Sequence, residues 1–319
     1  MKHYLLGMLA IVAITVSCNN HTPLSSSSAH TNTVVKTTSK KFLFDNTKAE
    51  TAGNADWVID EDNGKAQRFP TPAQSTVTAS TPETYWTGAL SNWGIALVKA
   101  GDSVETLPTT GSITYGNATN PQDLSHYNVF VVDEPNILFT TAEKTAILTF
   151  VKNGGGLFMI ADHNQSDRNN DGYDSPAVWN DLMTNNSLGS NPFGFSIDLT
   201  NISEISTNVL TNNSANKILN GSQGNVTKLE FNNGSTLTLS PTVNSTVQGL
   251  IWQNGFPQNT THVMSASSTY GNGRVYIVCD SSPMDDGTGA SGNELYVSWS
   301  LYSHKNLFMN ASLWLAKLQ

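Results

Sequence analysis

Short apolar blocks, each ending at a polar residue, alternate with amphipathic stretches in the first half of the chain. Four blocks have the length of a strand: KFLFDN (41–46), SVETLP (103–108), HYNVFVVDEPN (126–136) and LFMIADH (157–163). The last is a continuous apolar run, typical of a strand buried on both faces. Residues 83–101 have apolar positions at helical spacing, and Thr140 is predicted to cap a second helix over 141–156, with Glu143 in capping-box position. This order predicts a doubly wound α/β layer.

The second half of the chain favours strands. Three short alternating pieces, VTKLEF (226–231), STLTLS (235–240) and VQGLIW (247–252), predict β-hairpins that extend the sheet antiparallel. Residues 270–289 predict another core strand followed by an acidic loop, and residues 305–318 predict a closing helix. We therefore expect one α/β domain over 41–319, with a doubly wound, mostly parallel, flavodoxin-like sheet and a β-rich insertion at about 190–268.

The N-terminus has the pattern of an export signal. A basic start is followed by an apolar run from Leu5 to Val16 that is too short to span a membrane, and residues 15–18 resemble a bacterial lipobox ending at Cys18. Residues 1–17 are predicted to be a lipoprotein signal peptide, with Cys18 lipidated and 18–40 forming a flexible Ser/Thr/Asn-rich tether. An ordinary secretory signal is the alternative. We expect an exported protein, anchored by lipid in the bacterial cell envelope, in the periplasm or at the outer membrane.

The amino-acid composition limits the kinds of ligand and partner that we expect the protein to bind. The 319 residues, 38% of them hydrophobic, can bury a substantial core. The net charge of −9, with 16 scattered Lys and Arg residues, argues against nucleic acid and favours cations or uncharged ligands. The two cysteines cannot form an internal disulfide if Cys18 carries lipid, and Cys279 is predicted to be a small buried residue. The oligomeric state is not predicted.

Four predicted strands end at polar side chains. In open α/β sheets, ligands bind outside the carboxyl ends of the strands. The candidate catalytic residues are therefore those at these ends: Asp45, Glu134, Asp162, His163 and Asp280. A divalent metal ion would relieve repulsion among such carboxylates, so a metal at this rim is one expectation. Simple capping of turns and helices by these residues is the alternative.

Directly after His163 the chain repeats part of a calcium loop. Residues 167–172 follow the pattern D-x-N-x-D-G, but Val178 stands where an EF-hand has its bidentate Glu. The candidate calcium ligands are Asp167, Asn169, Asp171, the Tyr173 carbonyl and Asp174. A turn held only by Asx hydrogen bonds is the alternative. A second acidic loop, 285–289, is predicted to be a solvated turn.

The blocks FLFDN, HYNVFVVDEPNILFTTAEKTAILTFVKNGGGLFMIADH, YGNGRVYIVCDSS and HKNLFMNASLWLAK resemble the class I glutamine amidotransferase-like superfamily, in particular its ThuA-like, extracytoplasmic branch. The resemblance covers residues 41–165 and 270–319 and implies the fold more than the chemistry. Amidotransferases carry a nucleophilic cysteine on a tight turn after a central strand. Here the turn Gly154–Gly156 precedes a strand, and Asp162 and His163 stand at its far end. Glutaminase activity is therefore not expected.

Two functions remain open from the sequence. In the first, the protein is a hydrolase of an uncharged polar substrate such as a glycan or its ester. A metal or His163 would activate water, Asp162 or Glu134 would orient it, and the loop 47–75 would close over the substrate. The expected substrate-binding residues are Glu50, Asn54, Asp56, Asn136 and Ser281. Four aromatic residues are candidates for sugar stacking: Trp57, Tyr85, Trp86 and Trp179.

A variant with Ser281 or Ser282 as nucleophile and His163 as base lacks the G-x-S-x-G elbow. In the second function, the domain is a non-catalytic binding or assembly module, and a calcium ion stabilises it.

Overall fold

A computed structural model describes residues 38–61, 65–211 and 214–319. The predicted signal peptide, Cys18 and most of the tether lie outside these residues. The helices are α1 (Ser91–Lys99), α2 (Thr141–Lys152), α3 (Ser175–Thr184) and α4 (His304–Leu315), with short 3-10 turns at Gln74–Thr76, Leu124–His126 and Ser282–Met284. The strands are β1 (Lys41–Asp45), β2 (Ser103–Leu107), β3 (Val129–Asp133), β4 (Gly156–Ile160), β5 (Phe195–Ile197), β6 (Ile202–Ser206), β7 (Asn208–Val209), β8 (Asn220–Gly221), β9 (Gly224–Asn225), β10 (Leu229–Gly234), β11 (Leu237–Leu239), β12 (Gln248–Trp252), β13 (Val263–Tyr270) and β14 (Gly273–Val278).

Ten strands form one mixed sheet in the order β2-β1-β3-β4-β14-β13-β11-β5, with β12 paired to β13 and β7 paired to β12. The first five strands are parallel. Counting β14 as the fifth parallel strand, their order is the 2-1-3-4-5 of flavodoxin-like folds. The remaining strands of this sheet pair antiparallel. The α/β class and the antiparallel extension are thus confirmed, and the parallel arrangement holds for the first half of the sheet. That residues 190–268 are an insertion stays a prediction.

Helices cover both faces of the parallel half. A Cβ atom on Gly155 would meet Phe150 of α2, whereas one on Gly156 would meet Leu315 of α4. Since consecutive strand residues face opposite sides of a sheet, α2 and α4 lie on opposite faces. On the α4 face, the buried Trp93 packs edge-on against aromatic rings of β1, β4 and α4.

The helix expected over 83–101 begins only at Ser91. Gly88 has φ +146°, and a Cβ there would lie 2.6 Å from the carbonyl oxygen of Val58. This close approach of two backbones holds the preceding residues in turns, so apolar spacing alone placed the helix start too early. The capping box of Thr140 and Glu143 is confirmed.

The predicted hairpin is confirmed for residues 247–252, whose strand β12 pairs antiparallel with the next strand β13, but the other two pieces do not pair with each other. Strand β10 pairs with β6, and β11 pairs with β5 and β13. Alternation specifies that a segment is a strand, but long-range burial selects its neighbour. Within the described residues, no helix has the length and apolar character needed to cross a membrane.

Candidate functional site

A polar cavity of about 220 Å³ opens at the carboxyl ends of β4 and β14. Asp162 and His163 reach it just after β4, and Ser281 reaches it just after β14, as the rule for strand ends predicts. Amides, hydroxyls, one imidazole and one guanidinium make up most of its wall. The lining residues are Asn54, Asp162, His163, Arg168, Asn232, Asn233, Ser281, Ser282, Leu295 and Tyr296.

Arg168 supplies the positive charge at this rim. Its Nε donates to Glu134 Oε1, its Nη2 lies 3.0 Å from Glu134 Oε2 and 3.3 Å from Asp162 Oδ2, and its Nη1 donates to Asn54 Oδ1 at 2.7 Å. The sequence predicts a cation that relieves repulsion among the strand-end carboxylates. A guanidinium from the acidic loop stands in that position, and such a planar fork suits a carboxylate well.

Glu134 is fully buried and saturated with donors. Besides the two bonds from Arg168, its Oε2 accepts from Trp57 Nε1 at 2.7 Å and from the Ser281 hydroxyl at 3.0 Å. Its backbone adopts φ +43°, which is uncommon for a residue with a side chain. Glu134 therefore positions Arg168 and Ser281, and it does not line the cavity. Because the Ser281 hydroxyl donates to Glu134, the Ser281–His163 nucleophile is not assembled.

Asp162 and His163 form a close pair inside the cavity. Burial raises the pKa of Asp162 well above its ordinary value, and the neighbouring Glu134 and Asp280 raise it further, against the effect of Arg168. One guanidinium balances one carboxylate, so burial beside Glu134 favours the protonated form of the Asp162 carboxyl.

His163 Nε2 lies 3.8 Å from Asp162 Oδ2, and Nδ1 lies 2.7 Å from the Asn164 carbonyl oxygen. A carbonyl only accepts, so Nδ1 carries the hydrogen and Nε2 keeps a free lone pair.

Two other predicted catalytic carboxylates lie outside the cavity. Asp280 accepts from the backbone N–H groups of Ser282 and Asn232, and burial raises its pKa to about 7. Asp45 accepts from Thr47, and burial raises its pKa to about 6. Both side chains hold the backbone of rim loops, as in the capping alternative.

Of the predicted substrate-binding residues, Asn54 and Ser281 line the cavity and the other three are buried in the scaffold. Glu50 accepts from the Lys48 N–H at 2.7 Å. Asp56 accepts from the Ala290 N–H at 2.9 Å, and burial, with Glu61 beside it, raises its pKa to about 9. Asn136 donates to the Glu134 carbonyl at 2.6 Å and accepts from the Arg168 N–H at 3.0 Å. These three buried side chains support the loops of the rim and do not line the cavity.

Three of the four aromatic residues expected to stack on sugars are buried. Each uses its indole N–H internally: Trp57 to Glu134, Trp86 to the Pro72 carbonyl and Trp179 to the Ile160 carbonyl. That expectation is wrong for them, because a buried indole with a satisfied N–H is a core residue. Tyr85 is exposed, and Cys279 is buried as predicted.

In the loop 167–174 the carboxylates face the loop's own amides. Asp167 accepts from the N–H groups of Asp171 and Gly172, and Asp171 accepts from that of Tyr173. Asn169 donates to Asp171, and Asp174 caps α3. Among the residues described, no three His, Cys, Asp or Glu side chains are grouped so as to hold a metal ion. Calcium binding at the loop and a metal at the rim stay predictions.

The second acidic loop is not a solvated turn. Asp285 is fully buried and accepts from the N–H groups of Gly287 and Tyr296. Asp286 is also buried and accepts from the Asn92 N–H at the start of α1. The prediction failed because the two aspartates satisfy amides of distant segments, a need that local polarity does not reveal.

Sequence reasoning missed half of the cavity wall. Asn232 and Asn233 come from the end of β10, and Leu295 and Tyr296 come from the loop before α4. Only long-range packing brings these segments to the rim, and no local pattern marks them. Arg168 did carry a signal, since it is one of only three arginines in the chain and stands among acidic residues.

No family model and no curated protein matches the chain. Among solved structures, the mmIFT52 N-terminal domain is similar at 11% identity, covering 86% of this chain and 97% of its own, with a TM-score of 0.49. A ThuA-like protein from Bacteroides uniformis is similar at 13% identity, 87% and 91% coverage and a TM-score of 0.42. Another from Parabacteroides merdae has 12% identity, 88% and 91% coverage and a TM-score of 0.41. All three scores lie below 0.5, so these similarities carry no conclusion about activity.

Proposed function

We propose that the protein is a hydrolase of a small ester carried by an uncharged, hydroxyl-rich molecule such as a glycan. His163 Nε2 takes a proton from water, the water oxygen attacks the ester carbonyl, and the Asp162 carboxyl gives its proton to the departing alkoxide. The products are a carboxylic acid and the free hydroxyl. The observation that supports this is the close approach of the buried Asp162 carboxyl and the His163 imidazole in one polar cavity, with Nε2 3.8 Å from Oδ2. Burial also raises the pKa of that carboxyl, as a proton donor requires.

The separation of the two groups favours an ester over a glycosidic bond. Glycosidases place two carboxyl groups on either side of the sugar, roughly 5 Å apart in retaining enzymes and roughly 6.5–9.5 Å apart in inverting ones. His163 Nε2 and Asp162 Oδ2 are 3.8 Å apart and approach from the same wall. In ester hydrolysis the attacking and departing oxygens lie side by side on one tetrahedral carbon, whereas at a glycosidic bond they lie on opposite faces of the anomeric carbon. An acid and a base held side by side therefore suit the ester.

The cavity wall supports an uncharged ligand. Asn54, Asn232 and Asn233 offer amides, and Ser282 and Tyr296 offer hydroxyls. The one guanidinium in the wall, that of Arg168, already forms an ion pair with Glu134 and a hydrogen bond with Asp162. At about 220 Å³ the space is below the usual range for drug-sized ligands, so it fits a single sugar unit with a short acyl group.

The test is turnover of acetylated sugars by the full chain, with aryl glycosides as the comparison. We expect acetate release, and a loss of at least about 100-fold in kcat/KM for Asp162→Asn and for His163→Gln at an unchanged melting temperature. His126→Gln, at an exposed histidine outside the cavity, is the matched control and should retain full activity. If the wild type hydrolyses neither class of substrate, the protein is not a hydrolase of this kind. Binding of acetylated sugars without turnover would then favour the non-catalytic module.

We also propose that the chain is exported and lipid-anchored at Cys18, on the evidence of the signal-like sequence before it. Cys18→Ser should abolish incorporation of labelled fatty acid and release the protein from the membrane fraction. If the wild-type protein incorporates no labelled fatty acid, the alternative of an ordinary secretory signal is favoured.

A further inference from the structure

A second cavity, of about 300 Å³, lies at the amino end of β14, on the edge of the sheet opposite Asp162. Strands β12 and β13, the segment 215–218 and the end of α4 form its walls. Arg274 and Lys217 line it, and no Asp or Glu side chain does. The ionisable side chains that line the cavity are therefore both positive, in a protein whose net charge is −9.

Arg274 lines this space and uses only part of its guanidinium in bonds to the chain. Its Nη1 donates to the main-chain oxygens of Trp314 and Gln319, and its guanidinium carbon lies 4.9 Å from the centre of the Trp314 ring. These contacts fix the plane of the group. In the described parts of the chain, Nε and Nη2 have no hydrogen-bond partner. Capping of the α4 carboxyl end accounts for Nη1 but leaves the Nε–Nη2 edge unused, and that edge binds an oxyanion through two parallel bonds.

Further donors in the cavity are also uncommitted. Gln248 accepts from Asn216 Nδ2 through its Oε1, which leaves its own NH₂ group available. Ser267 lies opposite Gln248 in the β12–β13 register, so both side chains are on one face. The exposed Lys217 has no ion pair within the described residues. Amide and hydroxyl groups beside two cations suit a ligand that carries both an anionic group and hydroxyls.

We propose that this cavity binds a small acidic ligand, a carboxylate or phosphate on a hydroxyl-bearing body such as a uronic acid or a sugar phosphate. Arg274 holds the oxyanion through Nε and Nη2, Lys217 adds a second charge, and Gln248 and Ser267 contact the neighbouring hydroxyls. The site is separate from the Asp162 cavity, and its test needs no turnover.

The experiment is calorimetric titration of the full chain with glucuronate, inorganic phosphate and glucose. Both anions should bind, glucose should not, and affinity should fall as sodium chloride is raised. Arg274→Lys keeps the charge and loses the two-pronged contact, so it should weaken glucuronate about tenfold. Lys217→Gln should weaken it about threefold, since it removes one partly screened charge. Lys228→Gln, at a lysine outside the cavity, is the matched control and should bind as the wild type does.

Binding of phosphate without glucuronate would support the oxyanion site and assign it to phosphate esters. Equal binding of glucose and glucuronate would overturn the proposal, as would failure of both anions to bind. Anion affinity that neither Arg274→Lys nor Lys217→Gln alters would overturn it too. Lys217 is exposed and its side chain forms no ion pair within the described residues, so its variant remains informative if Arg274→Lys perturbs the end of α4.

Discussion

Arg168 is the residue on which the candidate site depends most. Arg168→Gln would leave the buried Glu134 carboxylate without its ion pair, and breaking a buried pair costs roughly 3–5 kcal/mol. We expect urea unfolding to show a loss of that size. Arg68→Gln is the matched control, because Arg68 is half exposed and contacts Glu105 at 3.3 Å. That change should cost about 1 kcal/mol or less. Equal losses in the two variants would contradict a central role for Arg168.

The residues of this site also show which of its features can be predicted from local sequence. Asp162 and His163 could be placed at the rim because a polar pair directly follows an uninterrupted apolar strand. Their environment could not be predicted, since Arg168 occupies a spacer position of the calcium-loop pattern and its partner Glu134 lies 34 residues earlier. A local sequence pattern predicts at which strand end a side chain lies. The hydrogen-bond partners of that side chain cannot be predicted in this way, because they belong to distant segments that the fold brings together.

Helix α3 connects the acidic loop to the rim through one capping residue. Asp174 accepts from the Ala177 N–H at 2.9 Å as the N-cap and from the Gln165 N–H at 2.7 Å. Asp174→Ala should therefore lower the free energy of unfolding by about 0.5–2 kcal/mol, and Asp174→Ser should recover part of it. Urea titration measures both. If alanine is as stable as serine at this position, the cap does not contribute.

The loop itself offers a separate test of calcium. If the ion binds, calcium should raise the melting temperature of the wild type and have a smaller effect on Asp171→Ala, which removes a ligand carboxylate. Equal response, or none, in both proteins would leave Asx hydrogen bonds as the explanation of the D-x-N-x-D-G pattern. Circular dichroism with added calcium or chelator provides the measurement.

At the level of elements, the parallel half of the sheet was predictable and the antiparallel half was not. A helix separates β1 from β2 and β3 from β4, and right-handed crossovers leave few alternative arrangements. Strands β5 to β12 have at most six residues each, so their sequences do not select a neighbour. Asn232 and Asn233 of β10, and Leu295 and Tyr296 of the loop before α4, were therefore not anticipated in the cavity wall.

Buried carboxyl groups set the response of the whole molecule to pH. Burial raises the pKa of Asp45 and Asp286 to about 6, of Asp280 and Asp285 to about 7, of Asp56 to about 9, and of Glu50, Asp133 and Asp162 well above ordinary values. The folded state thus holds protons that the unfolded chain releases near pH 4. The stabilising contribution of these groups to the free energy of unfolding is fully present below that pH, and it is lost as the pH rises through their folded-state pKa values. Burial lowers the pKa of His304 to about 4, so this residue reduces stability as the pH falls from about 6.5 to 4. The eight carboxyl groups have the opposite effect and outnumber it.

We therefore expect the protein to be more stable at pH 5 than at pH 8, by more than about 1.4 kcal/mol, the value of one pKa unit on one group. Asp133 provides the sharpest variant, because it is buried and neither carboxylate oxygen has a partner. Asp133→Asn should raise stability more at pH 8 than at pH 5, since the cost of keeping the buried carboxyl protonated grows as the pH rises above the unfolded pKa.

Asp123 is the matched control of opposite sign. Burial opposes its ionisation, but hydrogen bonds from Ser125, Thr114 and two backbone amides lower its pKa below the ordinary range. Asp123→Asn should therefore reduce stability at pH 8, where the carboxylate is fully charged and bonded. Urea unfolding at both pH values measures all three proteins. Stability that is flat or rises from pH 5 to pH 8 in the wild type would mean that the strand-end acids are ionised and paired in the folded state, and Asp162 would then have no proton to donate.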